Sequence, residues 1–185
     1  DFSDYGIVII VEDVTQKDLI PYDEISTIFL DRDIAEEIWT LGSTGFSTGR
    51  FIEVKDEDSF VFEGIDIPSD DELEVYNDLF GSTIHYINSI QQSGLTTVAY
   101  KQDTSKPLIA YSTMIDGDEI RKYLFFGLKE SDDWNNDAEK MFENSMLWLL
   151  EGLDQDEDGW IAEEDCNDLD ENVYPGANEV SYDEI

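Results

Sequence analysis

The chain has 185 residues, 41% apolar and 12% aromatic, enough for one good core plus an appendage and too hydrophobic for a disordered chain. Forty-six acids against 10 bases give a formal net charge of −36, which repels nucleic acid and anionic lipid and leaves neither expected as a partner. One Cys and one His argue against an internal disulfide, a Cys-rich zinc centre or a His-based triad.

The charge is uneven. Residues 151–185 hold 14 acids and no Lys or Arg, and residues 1–150 hold 32 acids and 10 bases. A division into a domain over 1–150 and an acidic appendage over 151–185 is therefore expected. Such a surface suits divalent cations or a high-salt setting, and both fit an exposed location. No apolar run reaches 18 residues, so no membrane insertion is expected. A start at Asp1 instead of Met reads as a processed or trimmed beginning.

In chain order, residues 5–11 form a continuous β-branched apolar run and read as a strand buried on both faces. Residues 22–31 read as a second core strand. Asp33 is placed to cap a short helix through Ala35, Ile38 and Trp39. Residues 42–49 are glycine-rich but lack phosphate-loop spacing, which predicts a flexible turn. Segments 50–54 and 59–63 alternate like a hairpin turning at 55–58. Residues 68–72 look like a helix entry, with Leu73, Tyr76, Leu79 and Phe80 following at helical spacing. Strands are expected over 83–87, 95–100 and 108–113, and a buried one over 121–127. The strongest helix runs over 134–150, with Ala138, Met141, Phe142, Ser145, Trp148 and Leu149 on one face and Gly152 placed to end it.

Beyond that helix, residues 154–165 carry the most informative spacing in the chain. Asp154, Asp156 and Asp158 fall at positions 1, 3 and 5 of a loop, Gly159 at 6, Ile161 at 8 and Asp165 at 12, the order of an EF-hand-type calcium loop. Ca²⁺ takes six to eight oxygens, so the chain must curl to aim alternate side chains inward. Gly159 permits the turn, Trp160 can offer its backbone carbonyl, and Ile161 can pin the loop to a core. Asp at position 12 and Ala162 at position 9 make a weaker site than a full set of ligands. An affinity of roughly 10⁻⁴ to 10⁻³ M follows, the extracellular range. Asn167, Asp170 and Glu179 could share this ion or hold a second. Without the ion, mutual repulsion should leave the segment mobile.

The full order is Asp-x-Asp-x-Asp-Gly-Trp, then Asp165-Cys166-Asn167-Asp168-x-Asp170, then Tyr174-Pro175-Gly176-Ala177-x-Glu179. It resembles the metal-binding repeat of MopE type, found in secreted and surface proteins and broadly similar to thrombospondin calcium repeats. The resemblance implies calcium and an extracellular or cell-surface location. Its usual second Cys, soon after the Pro-Gly-Ala segment, has no counterpart here.

The body resembles the glutamine-amidotransferase-like branch of flavodoxin-like folds, through Tyr22-Asp23-Glu24-Ile25, Tyr123-Leu124-Phe125-Phe126-Gly127, Asn136, Phe142-x-Asn144 and Trp148-Leu149-Leu150. That resemblance implies an α/β fold with a mostly parallel sheet flanked by helices. The family's chemistry needs Cys on a Gly-x-Cys-x-Gly elbow, whereas Cys166 sits among carboxylates that suppress its thiolate. Gly45-Phe46-Ser47-Thr48-Gly49 fits a serine elbow, but the segment after it reads as strand where a helix is needed. His85 reads as a hydrogen-bonded histidine at a strand end. The pairs Asp31/Asp33 and Asp116/Asp118 imitate carboxylate dyads, yet in so acidic a chain such pairs arise freely.

The expectation is a non-catalytic, secreted or surface structural protein stabilised by calcium, with other surface-protein subunits or domains as partners. The competing class is an extracellular hydrolase or carbohydrate-handling enzyme with structural calcium. A cleft holding Ser47 or His85 beside an acid would favour the enzyme.

Overall fold

The computed structural model describes residues 6–11, 19–22, 24–116, 119–150 and 175–176. The chain divides into two units, Asp1–Leu149 and Leu150–Ile185, and nearly all described residues lie in the first. Its elements are β1 (Ile7–Ile10), β2 (Ser26–Phe29), α1 (Arg32–Glu37), β3 (Gly42–Gly49), β4 (Phe51–Val54), β5 (Glu72–Glu74), β6 (Ser82–Ile90), β7 (Thr96–Lys101), β8 (Pro107–Asp116), β9 (Glu119–Phe126) and α2 (Asn136–Leu150). A seven-stranded sheet runs β1-β2-β9-β8-β7-β4-β5, and β3 and β6 form a separate two-stranded ribbon.

This architecture corrects the expected fold class. Among the described residues only β1, β2 and β9 are mutually parallel, and the pairings from β9 through β8, β7 and β4 to β5 are antiparallel. The sheet is mixed, and among the described residues two α-helices accompany it instead of the regular flanking layers of a flavodoxin or class I amidotransferase fold. Connection length is the physical reason. Five residues separate β7 from β8 and two separate β8 from β9, whereas a parallel crossover needs a dozen or more.

The continuous apolar runs do mark the buried centre. In β2 and β9, Ile28, Leu124 and Phe126 enter one core layer with Ala138, Met141 and Leu149 of α2. Phe29, Tyr123 and Phe125 enter the other with Ile34 and Ala35 of α1. Both faces are thus covered, which requires apolar residues at successive positions instead of alternate ones. β1, by contrast, is only partly buried, and Ile9 is 40% exposed.

Four local expectations change. Residues 42–49 are strand, because β6 needs the glycines opposite it: a Cβ on Gly45 would lie 2.7 Å from the Tyr86 ring, and one on Gly49 would collide with Ile84. Residues 72–76 are not helical. Leu73 and Val75 are buried at period two while Leu79 and Phe80 stand 78% and 87% exposed, so the apolar spacing was not one face. Segment 59–63 holds a 3₁₀ turn, Phe60–Phe62, and β4 pairs with β5 and β7. The cap of α1 is Asp31, whose carboxylate accepts from the backbone N–H groups of Asp33 and Ile34. No described helix is long and apolar enough to cross a membrane.

The ribbon meets the sheet at Gly127. The His85 N–H donates to the Gly127 carbonyl at 2.7 Å, the Gly127 N–H donates to Leu108 at 2.9 Å, and Ile84 bridges to Leu128. A Cβ on Gly127 would overlap the His85 carbonyl and lie 2.8 Å from that of Leu108. Overpacking against backbone cannot relax by a rotamer change, so Gly127→Ala should cost about 2–3 kcal/mol in denaturant unfolding. Gly64→Ala, at φ +77° with nothing near its Cβ, should cost only about 1 kcal/mol. Equal losses would show that the crossing is not tight.

Candidate functional site

The parallel part of the sheet has its carboxyl ends at Ile10, Phe29 and Phe126. Crevices at such ends are the usual ligand sites of sheets with parallel strands. A groove of about 440 Å³ lies there, lined by Val11, Leu30 and the segment 128–134. This segment forms a strap over the strand ends, and its residues explain why it stays in place.

Lys129 supplies the main fixing points. Its carbonyl accepts from the Tyr76 hydroxyl at 2.8 Å and the Trp134 indole N–H at 3.1 Å, and the Tyr76 hydroxyl also reaches the Thr83 carbonyl at 2.9 Å. Burial pushes the Tyr76 phenol well above its usual range, so it remains a donor at any ordinary pH. Glu130 takes the left-handed conformation at φ 57°, which turns its carboxylate back onto the Thr83 N–H at 2.8 Å and hydroxyl at 3.0 Å. Those bonds hold the Glu130 carboxyl below the usual carboxylate range. Asp133 accepts from the Ser82 hydroxyl at 2.6 Å. The strap is therefore a rigid wall of the groove.

Behind this wall lie an ammonium, a carboxylate and an imidazole. Lys129 Nζ donates to the Val11 carbonyl at 2.7 Å and lies 3.9 Å from Asp31 Oδ2. Asp31 is 9% exposed, with its other oxygen engaged in capping α1. His85 is 7% exposed, and its Nδ1 has no hydrogen-bond partner among the described residues. Burial, then the Lys129 charge, lowers its pKa against the weaker opposing effects of the Leu30 backbone and Asp31. Of these three residues Lys129 lines the groove, and its ammonium is engaged by the Val11 carbonyl and Asp31.

The proposed serine elbow does not assemble. Ser47 stands opposite Ile84, whereas His85 stands opposite Phe46. Residues directly opposite share a face and neighbours alternate, so Ser47 and His85 project from opposite faces of the ribbon. Ser47 Oγ is buried without a partner among the described residues. His85 lies inside β6, not at a strand end. Asp31 and Asp33 are cap and first turn of α1, not a dyad. The metal-loop residues Asp154, Asp156, Asp158, Trp160, Asp165, Asn167, Asp170 and Glu179 lie outside the described residues, as do Cys166, Gly152 and Asp118.

Sequence reasoning passed over Lys129, Glu130 and Tyr76. The one readable signal was Gly127 at the end of a strongly apolar run, where a strand meets its loop. A left-handed glutamate and a pairing between residues 83 and 130 leave no sequence pattern. No family model matches the chain, and no curated protein matches it.

The buried imidazole generates a pH dependence of known sign. The unfolded chain binds a proton on His85 near pH 6.5, whereas the folded chain resists it until lower pH. Between those values the unfolded state holds more protons, so stability falls as pH drops below about 6.5. Chemical denaturation from pH 8 to 5 should show this loss, and His85→Gln should flatten it. A profile unchanged by the substitution would place the titration elsewhere.

Proposed function

We propose that the protein is a secreted or cell-surface structural or interaction protein, stabilised by calcium bound in its acidic C-terminal repeat. The observation that carries this reading is the ligand order of residues 154–165: Asp154, Asp156, Asp158, then Gly159 and Ile161, closed by Asp165. A merely solvated acidic run has no need of glycine at the sharp turn and an aliphatic two residues later. Asp154, Asp156, Asp158, the Trp160 carbonyl and Asp165 are assigned to the first ion. Asn167, Asp170 and Glu179 are assigned to a second ion or to completing the first.

The charge supports the reading. Fourteen acids and no bases over 151–185 repel one another unless a cation neutralises them. A folded metal site turns binding free energy into folding free energy. Over 1–150, Ser47 and His85 project from opposite sides of the ribbon, which removes the serine-elbow arrangement as a competing argument. The alternative, an extracellular hydrolase or carbohydrate-handling enzyme with structural calcium, draws on the groove lined by Lys129 and on the buried His85 near Asp31.

Thermal unfolding with calcium and with chelator, at one ionic strength, tests the reading. Calcium at a hundred times its Kd should add about 2.7 kcal/mol if only the folded state binds. Asp156→Ala and Asp158→Ala should abolish the gain. Identical melting with and without calcium would leave the acidic segment as surface charge only.

A further inference from the structure

With acids in excess by 46 to 10, a basic residue should rarely lack a carboxylate neighbour. Arg32 pairs with Asp33, Arg50 with Glu74, Lys129 with Asp31 and Lys140 with Glu143. Besides the exposed Lys55, Lys101 and Lys106 depart from this pattern. Among the described residues neither ammonium meets a carboxylate, and both instead approach one aromatic ring. Lys106 Nζ lies 4.5 Å and Lys101 Nζ 6.0 Å from the Tyr86 centroid.

The arrangement is held by its surroundings. The Lys101 N–H donates to the Lys106 carbonyl at 2.9 Å, so the two lysines face each other across the turn that joins β7 to β8. Thr104 closes that turn, its N–H and hydroxyl both donating to the Lys101 carbonyl. Like charges directly opposite across strands are destabilising. Tyr86 is seated on Gly45, where any side chain would come within 2.7 Å of the ring. One ring face is thus occupied by backbone, and the ring stays available to the ammonium groups.

The sheet also keeps the nearest strand carboxylates away. Lys101 stands opposite Ile52, and Ile52 opposite Leu73, whereas Glu53 stands opposite Tyr100 and Glu72. By strand alternation Lys101 shares a face with Ile52 and Leu73, and Glu53 and Glu72 project from the other. Gln102 reaches that second face, donating to Glu72 at 2.9 Å. The result is a small positive spot on a strongly negative molecule.

We infer that Lys101, Lys106 and Tyr86 form a binding site for a carboxylate group, bridged by the two ammonium ions above the Tyr86 ring. A bound carboxylate would relieve the like-charge opposition that the turn imposes. At 0.15 M ionic strength the Debye length is about 8 Å, so acids beyond that distance are screened, and the exposed Asp103 of the same turn makes no ion pair with either lysine among the described residues. Two half-buried ammonium contacts support only weak binding, with Kd on the order of tens of mM for a small dicarboxylate. The inference is independent of calcium binding.

The test follows the lysine ε-methylene signals by two-dimensional NMR while sodium succinate replaces sodium chloride at fixed ionic strength. Saturable shifts at Lys101 and Lys106 are expected, weakened about fivefold by Lys106→Gln and unchanged by Lys140→Gln. Poly-glutamate saturating at a lower carboxylate concentration than succinate would identify a polypeptide-borne carboxylate as the ligand. Saturation at equal concentration would identify a free one. Shifts that drift linearly, or that appear equally at Lys140, would overturn the site. Unchanged thermal melting of both variants without succinate confirms that folding is not the cause.

Discussion

The absence of a side chain at Gly127 is the constraint on which the described structure most depends. There the ribbon strand β6 passes so close to the end of β9 that backbone meets backbone, with the His85 N–H on the Gly127 carbonyl. The next residue, Leu128, bridges to Ile84, and Lys129 begins the strap that walls the groove. The ribbon, the parallel strand ends and the strap are therefore positioned by one contact. The same closeness buries His85 beside Lys129 and Asp31.

Charge is organised at two levels. Locally, the few bases are placed with care: Lys129 fastens the end of β1 and faces the cap of α1, and Lys122 reaches the Trp148 carbonyl at 2.6 Å, with its ammonium 5.0 Å from the Trp148 ring centroid. Globally, nothing within the chain balances 46 acids against 10 bases. Balance must come from solvent ions or from a bound cation, and the order of residues 154–165 favours a bound one. Screening by salt weakens repulsion beyond about 8 Å at physiological ionic strength, but carboxylates one or two residues apart remain within that distance.

The legible part of the fold was the part set by local composition. β2, β9 and α2 stood out because both-face burial demands unbroken apolar runs and one-face burial demands the helical period. The parallel topology was misjudged because an apolar run looks the same whichever way its neighbour points. The short connections around β7, β8 and β9 were the better guide, since they leave no room for crossovers. Residues 42–49 and 72–76 depart from expectation for a shared reason: glycine spacing and apolar spacing are local signals, while close partners at Tyr86, Ile84 and Ile52 decide the outcome. The groove was legible only as a strand end at Gly127. Its wall depends on Tyr76, Thr83 and Glu130, which are remote in sequence and carry no shared pattern.

Specific calcium binding by the acidic repeat differs from general attraction of cations to a −36 surface. Isothermal calorimetry of the whole chain separates the two when calcium and magnesium are titrated at one ionic strength. A saturable calcium isotherm of one or two sites is expected, with Kd roughly 10⁻⁴ to 10⁻³ M, and far weaker heats for magnesium, which demands a tighter octahedral cage. Indistinguishable, non-saturating heats for the two ions would contradict it and leave the segment as diffuse charge.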